Sequence, residues 1–267
     1  MACKLGSIID AIEEIVPSEF AEDWDNSGMQ LGDRDWGIKK IWVALDPLPE
    51  VISAACQEDV DLVITHHPLI FKSLTSIDVS TVEGFVIQQA LDHRVAIFSA
   101  HTNLDRAKDG VNDILASRVG LHNTRSLPND LISGKPGFGR IGELAQPSSL
   151  GELAKNLKQT LDLGHVKVAG NLDMHVKTVS VCSGSGSSMV GAFLDSGADV
   201  FISGDLRYHD ARNFEFAQKG LIDIGHFASE HLIVETFAEQ LDRHFQSKGS
   251  TLVVEPYTSE KDPFVMI

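Results

Sequence analysis

The side chains with the clearest chemical potential in this 267-residue chain are histidines and carboxylates that follow apolar runs. His66 and His67 end the segment LVITHHP, Asp105 ends FSAHTNLD, and His226 and Glu230 lie in IDIGHFASE. Three imidazoles and two carboxylates are too few for two separate four-ligand cages, but they suit two divalent cations that share one carboxylate and one bridging water. Because such a pair of cations makes water nucleophilic near neutral pH, these residues predict a metal-dependent hydrolase.

The elements that must position these residues alternate between strand and helix. In the first half, the hydrophobic pattern predicts strands at 38–46, 61–68 and 94–101 and helices at 5–16, 48–59, 82–92 and 105–119. In the second half, it predicts strands at 176–186, 199–210 and 221–226 and helices at 189–197, 211–220 and 228–245. This alternation indicates an α/β fold with parallel sheets, in which ligands bind at the carboxyl ends of the strands.

The two halves look like degenerate copies of one unit. The segment DLVITHHP matches DVFISGDL in register. The pair His101 and Asp105 matches the pair His226 and Glu230 both in its four-residue spacing and in its place between a strand and a helix. We therefore expect two similar α/β domains that arose from an internal repeat.

The stretch 122–175, which is rich in Gly, Pro and Ser, separates the halves. We predict one domain over residues 1–128 and another over 129–267. The helix at 228–245 and the strand in STLVVEPYTS are the elements that could instead pack back on the first domain.

Each ligand assignment has a plain structural alternative. Consecutive side chains of a strand point to opposite faces, so His66 and His67 reach one site only if the strand ends there, and Pro68 favours that ending. The alternative is a pair of surface histidines. Asp105 could cap the helix that follows it. Glu230 could be an exposed acid that is favoured by the dipole of its helix.

Two further histidines are candidates for proton transfer. His101 could be a ligand, a residue that orients a ligand, a proton shuttle or a structural histidine at a strand end. His209, in GDLRYHD, lies where the copied strand ends, and we assign it an acid–base role that faces the substrate. Both are our candidate catalytic residues.

The run SGSGSSMVG at 183–191 is open to a different interpretation. It follows a strand, precedes a helix and has Asp205 about twenty residues later, which is the arrangement of a dinucleotide-binding turn. Met189 replaces the third glycine of that motif, which argues against this function. The same amides could instead bind one substrate phosphate at the start of a helix.

Composition excludes several classes of protein. The net charge of −16 disfavours a partner with a phosphate backbone, so nucleic acid is not expected. No window holds the roughly 18 apolar residues of a membrane span, and acids interrupt the apolar N-terminal segment, which excludes a secretory signal. The cysteines are far apart, which fits a reducing cytoplasm; they are Cys3, Cys56 and Cys182.

Five ordered motifs carry a resemblance to a known family: WDNSGMQLGD, VITHHPLIF, SAHTNLD, ISGDLRYHDA and DIGHFASE. Together they resemble the Nif-three-like dinuclear metal-centre family, whose members are named GTP cyclohydrolase I type 2 homologs. The resemblance implies two α/β domains with the metals between them and six subunits in a ring. It places the metal ligands in the HHP, HTNLD and GHxxxE motifs, with Glu230 as the bridging carboxylate; the matching residues are His66, His67, Asp105, His226 and Glu230.

The function we expect is hydrolysis of a small polar substrate, of the nucleotide class, with two divalent ions per chain. Ligation by His, Asp and Glu without cysteine suits Zn, Mn or Fe. The family name implies opening of the guanine ring of GTP. The alternative is a metal-binding ring scaffold or metallochaperone without catalytic activity, which would lack the open coordination position of an enzyme.

Overall fold

The computed structural model describes residues 2–127 and 135–265, and these residues form two compact units. Unit 1 comprises the chain up to Ala107 together with Ile233–Glu260, and unit 2 comprises Lys108–Leu232 with the segment from Lys261 onward. The domain boundary predicted between residues 128 and 129 lies outside the described residues. None of the helices in the described part of the chain is long and apolar enough to cross a membrane.

The regular elements follow in chain order. The helices are α1 Leu5–Ile15, α2 Pro49–Gln57, α3 Val82–His93, α4 Thr102–Arg106, α5 Val111–Val119, α6 Leu150–Thr160, α7 Val190–Ser196, α8 Tyr208–Phe216, α9 His226–Glu230 and α10 Leu232–Ser247, with short 3-10 turns at Ser18–Phe20 and Gly186–Met189. The strands are β1 Cys3–Lys4, β2 Gly28–Leu31, β3 Gly37–Ile38, β4 Lys40–Ala44, β5 Leu62–Thr65, β6 Ala96–Ser99, β7 Leu121–Leu127, β8 Gly139–Ser149, β9 Lys167–Ala169, β10 His175–Ser185, β11 Val200–Gly204, β12 Gly220–Asp223 and β13 Val253–Pro256.

Unit 1 is built on a five-stranded sheet with the order β13-β4-β5-β6-β2. The first four strands are parallel, and β2 pairs antiparallel with β6 at the edge. Every residue of β5 and β6 is buried, as expected for parallel strands that are covered on both faces. Residues of α2 and α3 form one core with these strands, and Val51, Val63 and Val86 are among its members.

Unit 2 is built on a six-stranded sheet with the order β7-β8-β10-β11-β12-β9. Its central strands β10, β11 and β12 are parallel, and β9 pairs antiparallel with β12 at the edge. Unit 1 has the same arrangement in β4, β5, β6 and β2. The α/β fold class and the internal repeat predicted from the sequence are therefore confirmed.

Helices at two equivalent places are broken where the sequence predicted continuity. The helix predicted at 105–119 is divided into α4 and α5, because Ala107 is extended (ψ 151°) and Asp109 adopts a left-handed conformation (φ 58°). The helix predicted at 228–245 is divided into α9 and α10. Each break leaves a five-residue helix after the third parallel strand, and these two short helices carry candidate ligands.

Candidate metal centre

In unit 1, three imidazoles come together at the carboxyl ends of β5 and β6. His66 and His67 follow β5, and His101 follows β6. Their ring centroids lie 5.0, 5.2 and 5.5 Å apart, and each ring offers one nitrogen within 4.8 Å of the other two. We call these residues the histidine triad. Its geometry suits a cation, because nitrogens bound to one ion at about 2.1 Å lie roughly 3.4 Å apart in a tetrahedron.

The tandem histidines can reach one site because β5 ends at Thr65, immediately before them. The amides of His66 and His67 both donate toward the end of β4, to the carbonyls of Ala44 and Leu45 at 3.2 and 2.9 Å. Consecutive amides of a regular strand point to opposite sides, so these two bonds mark the end of β5 after Thr65. Pro68, which has no N–H, then follows. The alternative of two surface histidines is not what the structure shows, since His66 is only 2% exposed.

Each ring of the histidine triad has its Nδ1 atom against an oxygen that can only accept a hydrogen bond. The distances are 2.9 Å from His66 to the carbonyl of Ala100, 2.8 Å from His67 to the carboxylate of Asp46, and 2.8 Å from His101 to the carboxylate of Asp25. Nδ1 must therefore carry the hydrogen in all three rings. In the neutral imidazole this leaves the lone pair on Nε2, which is the form that binds a metal.

Asp25 is the most firmly held of these acceptors. It accepts hydrogen bonds from the Thr102 amide at 3.1 Å, from the Thr102 hydroxyl and from the Ser27 hydroxyl, in addition to the one from His101. Burial opposes ionisation of Asp25, but these hydrogen bonds outweigh it and hold the pKa of the carboxyl well below its usual range. The His101 ring is thus fixed by a buried, ionised carboxylate.

Asp105 lies inside α4 rather than at the start of a helix. The N-cap position of α4 is His101, so the predicted alternative of a capping role for Asp105 is not what the structure shows. The Asp105 carboxylate lies 3.8 Å from Nε2 of His66, and its side chain is 11% exposed. A neutral His66 with its lone pair on Nε2 therefore faces a second electron-rich atom.

Unit 2 carries the other half of the predicted ligand set in α9. Nε2 of His226 lies 3.0 Å from the carboxylate of Glu230, four residues later on the same helical face. Nδ1 of His226 lies 2.8 Å from the carboxylate of Asp205, which follows β11. Glu230 is only 4% exposed, so it is not the exposed helix-start acid of the alternative interpretation.

The glycine at the end of β10 makes room for this pair. Gly184 has φ +59°, and a Cβ built on it would lie 2.1 Å from Oε1 of Glu230. Its amide donates at 2.8 Å to the hydroxyl of Ser229, which in turn donates to the carbonyl of His226 at 2.7 Å. The Gly-Ser run therefore lets the backbone approach the Glu230 carboxylate.

The other interpretations of the Gly-Ser run find no support in the structure. Asp205, which a dinucleotide site would use for a ribose, instead holds His226. The Ser187 hydroxyl donates to the buried carboxylate of Asp210 at 2.7 Å, and a negative group there disfavours a phosphate. Because α7 has only seven residues, it also lacks the length of an effective helix N-terminus for an anion.

The contacts of His209 differ from those of the clustered histidines. It is exposed in the first turn of α8, with its ring centroid 5.4 Å from that of Tyr208. Within the described part of the chain, no group of potential metal ligands includes it. His101, in contrast, belongs to the histidine triad, so its position suits a ligand as well as a proton shuttle.

Sequence reasoning missed the carboxylates that orient the imidazoles. Asp46 follows β4 and Asp205 follows β11, and an acid just beyond a buried strand was the available signal for both. Glu260 was missed as well: it accepts hydrogen bonds from the amides of Leu45 and Asp46, both at 2.8 Å. Burial raises the pKa of the Glu260 carboxyl, and the nearby charge of Asp46 raises it further against the effect of those two amides.

The donors at these clusters are imidazole nitrogens and carboxylate oxygens. Among the described residues, no cysteine belongs to a group of potential metal ligands. Such a set fits Zn, Mn or Fe, so the residues present are compatible with the divalent metals predicted from the ligand types.

Comparison with known proteins identifies the family. A model of the Duf34/NIF3 (NGG1p interacting factor 3) family matches residues 3–263. The chain is 33% identical over 264 residues to a GTP cyclohydrolase 1 type 2 homolog of Clostridium perfringens, with 99% of this chain and 100% of that protein covered. It is 34% identical over 267 residues to the protein of the same name from Streptomyces coelicolor, with 98% and 93% covered.

Solved structures give the same result. The hypothetical protein SA1388 of Staphylococcus aureus superposes with a TM-score of 0.93 at 28% identity, and the match covers 100% of both chains. The matched region includes the five motifs, the repeated sheet and both short helices. The chain therefore belongs to the Duf34/NIF3 family.

Proposed function

We propose that this chain is a dinuclear-metal-dependent hydrolase of the GTP cyclohydrolase type. Two divalent cations, Zn, Mn or Fe, would be held by five residues, namely His66, His67, Asp105, His226 and Glu230. The observation that carries the proposal is the anchoring of Nδ1 in four imidazoles, three in unit 1 and one in unit 2, by oxygens that only accept. This arrangement orients each ring so that its Nε2 atom can bind a metal ion.

The carboxylates opposite these nitrogens support the presence of cations. In neutral rings, Nε2 of His66 and of His226 would place a lone pair 3.8 and 3.0 Å from a carboxylate oxygen. Two lone pairs at such distances repel unless a metal cation or a proton lies between them. Both separations are close to the roughly 3.4 Å expected between two ligands of one ion.

The proposal requires the two units to supply ligands to the same pair of cations, as the family resemblance implies. Unit 2 would contribute one imidazole and one carboxylate through α9, which are too few for two ions. Glu230 would bridge the ions. His101 would either complete the set as a fourth imidazole or move a proton at Nε2, and His209 remains our second candidate for proton transfer.

When bound, such a pair of cations lowers the pKa of a water molecule toward neutrality and neutralises charge that develops on the substrate. The chain's own residues would provide orientation. Asp25 and Asp46 fix the rings of His101 and His67, and Asp205 fixes that of His226. The substrate reaches this chemistry because the ligands are not sealed: the side chains of His67 and His226 are 22% and 36% exposed.

The names of the relatives support GTP as the substrate class. Two relatives at 33% and 34% identity are named GTP cyclohydrolase 1 type 2 homologs. Addition of one water at C8 of guanine opens the imidazole ring and leaves a formamide. Hydrolysis of that formamide by a second water releases formate, which makes formate the product to measure.

The direct experiment is to strip the purified protein of metal, reload it with Zn, Mn or Fe, and measure both bound metal and formate released from GTP. We expect two ions per chain and release of formate with at least one metal. Full metal loading without turnover of GTP or other nucleotides would instead support the scaffold or metallochaperone alternative. Less than one ion per chain with every metal would contradict the dinuclear centre itself.

We also propose that six chains assemble as a ring, as the family resemblance implies. Native mass spectrometry of the metal-loaded protein should give a mass near six times that of the 29.0 kDa chain. A clean monomer would contradict the assembly without affecting the proposed chemistry.

A further inference from the structure

Two large aromatic side chains of unit 1 lie beside the histidine triad and are largely exposed. Trp24 is 60% exposed and Phe71 is 53% exposed, although each could bury a large apolar area. Their ring centroids lie 5.9 Å apart, and they lie 6.2 and 6.3 Å from that of His101. The three ring pairs are tilted or edge-on, with interplanar angles of 58°, 76° and 74°, so these contacts do not bury the rings by stacking.

Hydrogen bonds hold the backbone next to each of these rings in place. Asp25, the neighbour of Trp24, is anchored to the start of α4 through His101 and Thr102. Asn26 donates to the carbonyl of Ile70 at 2.6 Å, and the Ile70 amide donates to the side chain of Gln30 at 3.1 Å. These bonds join the segment before β2 to the residue that precedes Phe71. The two exposed rings are therefore attached to well-anchored backbone, which lowers the entropic cost of ordering the protein when a ligand binds.

We propose that Trp24 and Phe71 form an aromatic wall that binds the planar base of a nucleoside triphosphate next to His101. This inference rests on the proposed function for the reason that a base should lie there, but it assigns residues that the metal centre does not use. An exposed aromatic face binds a heterocyclic base by stacking, with little preference among bases. The wall would therefore hold the ring close to the histidine triad and leave the choice of base to other contacts.

A competing explanation is that these rings belong to an assembly interface. Further exposed apolar side chains follow Phe71 in the chain, namely Leu74, Ile77, Val79 and Val82. Exposed apolar patches often mark contacts with proteins. Ring contacts with His101 distinguish Trp24 and Phe71 from that group, and they are the reason to assign the pair to a ligand of the metal centre.

The test uses tryptophan fluorescence of the metal-loaded protein. Trp24 is the most exposed of the three tryptophans, since Trp42 is buried and Trp36 is half-buried under Arg94, so a base that stacks on it should quench the emission. The probes are the four common nucleoside triphosphates, with inorganic triphosphate as the control that lacks a base. We expect quenching by at least one nucleotide and none by triphosphate.

Variants then assign the binding energy. Trp24→Ala and Phe71→Ala should each weaken nucleotide binding by about tenfold or more, measured by calorimetry, because stacking on an aromatic ring contributes that much per base. Trp24→Phe should restore most of the affinity, which a purely structural role would not predict. The control is Phe216→Ala, which removes a ring that is 94% exposed in unit 2 and should leave binding unchanged.

Several outcomes would overturn the wall. Quenching by none of the four nucleotides, equal quenching by triphosphate, or unchanged nucleotide affinity in both alanine variants would each do so. A changed native mass in Trp24→Ala with unchanged affinity would assign the rings to assembly instead.

The aromatic wall and the hydrolase activity are two proposals that these measurements can contradict independently. Nucleotide binding that depends on Trp24, without formate release, supports the wall and contradicts the hydrolase. Formate release with an unchanged KM in Trp24→Ala supports the hydrolase and contradicts the wall.

Discussion

Units 1 and 2 share a scaffold but equip it differently. Both contain three parallel strands of the repeat, β4, β5 and β6 in unit 1 and β10, β11 and β12 in unit 2, with an antiparallel strand beside the third. A five-residue helix that holds the acid of a His-x-x-x-acid pair follows that third strand. The second strand makes the difference. β5 is followed by two histidines, whereas β11 ends at Gly204 and is followed by Asp205. One unit thus offers a cluster of imidazoles, and the other offers one imidazole with its orienting acid.

The orienting acids also differ between the units. Asp25, which holds His101 in unit 1, has a fully buried side chain and comes from the segment before β2. Asp205, which holds His226 in unit 2, comes from the end of β11 and is 52% exposed. The equivalent histidines are therefore held by acids from different places in the repeat. The repeated scaffold therefore sets the position of each histidine, whereas the rigidity of its ring depends on an acid that is specific to one unit.

The largest effect should come from the residue of unit 2 that we propose as the bridge. Glu230→Gln keeps the size of the side chain but removes the charge that two cations would share. We expect bound metal to fall from two ions per chain to one or fewer, measured by elemental analysis after reloading. Glu239→Gln on the exposed face of α10 is the matched control and should retain both ions. Unchanged metal content in Glu230→Gln would contradict the bridging role.

A glycine variant tests whether unit 2 needs close approach of the backbone to that carboxylate. Gly184→Ala places a Cβ 2.1 Å from Glu230 at φ +59°, so the carboxylate must move and the left-handed backbone adds about 1–2 kcal/mol of strain. We expect lower metal content and a lower melting temperature. In Gly191→Ala, nothing lies within 4 Å of the new Cβ and the residue is in α7, so stability should rise by about 0.5–1 kcal/mol. Equal behaviour of the two variants would contradict the packing argument.

The orienting acids give a direct contrast between the units. Asp205→Asn should weaken metal binding by about 10–100-fold, measured by competition with a chelating dye, and should leave stability without metal nearly unchanged because the side chain is half exposed. Asp25→Asn should weaken metal binding to a similar extent if His101 is the fourth imidazole ligand, and should leave it unchanged if His101 only transfers a proton. It should also destabilise the metal-free protein by about 1–3 kcal/mol, because the amide that replaces one oxygen cannot accept the buried hydrogen bonds. A similar loss of stability in both variants would remove the proposed difference in rigidity.

The sequence was sufficient for the features that depend on local pattern. The buried run LVIT, the tandem histidines and the repeated spacing of histidine and acid predicted the strands and the clustering of His66, His67 and Asp105 within unit 1. Ser149 forms a capping box with Glu152 at the start of α6, and its S-x-x-E spacing is another local signal in the sequence. These signals are local, so one chain without relatives contains them.

The sequence was insufficient where long-range contacts decide. Asp25 lies 76 residues from His101, and no local pattern records that their side chains meet. The break between α4 and α5 depends on the left-handed conformation of Asp109, a residue type that tolerates that conformation without demanding it. The sequence placed Gly184 in a possible nucleotide-binding turn. Its contact with the Glu230 carboxylate could not be foreseen, because Glu230 comes from α9, far along the chain.

The smallest expected effect concerns residues at the start of one helix in each unit. Their contributions to stability should differ in how they depend on pH. The Asp210 carboxylate in α8 of unit 2 accepts from the Arg207 amide, the Arg207 side chain and the Ser187 hydroxyl. Burial raises the pKa of Asp210, but these hydrogen bonds outweigh it and the pKa lies below its usual value. In unit 1, the neutral hydroxyl of Thr81 caps α3 by accepting from the Gly84 amide.

Asp210→Asn and Thr81→Ala should each cost about 1 kcal/mol of unfolding free energy at neutral pH, measured by urea denaturation. A group with a depressed folded-state pKa stabilises the protein fully above its unfolded-state pKa, which is about 3.9 for Asp, and loses that contribution as the pH falls through the folded-state value. The cost of Asp210→Asn should therefore shrink below about pH 4, whereas that of Thr81→Ala should not change, because a threonine hydroxyl does not titrate. A cost of Asp210→Asn that persists unchanged in acid would show that the carboxylate contributes through its shape and not through its charge.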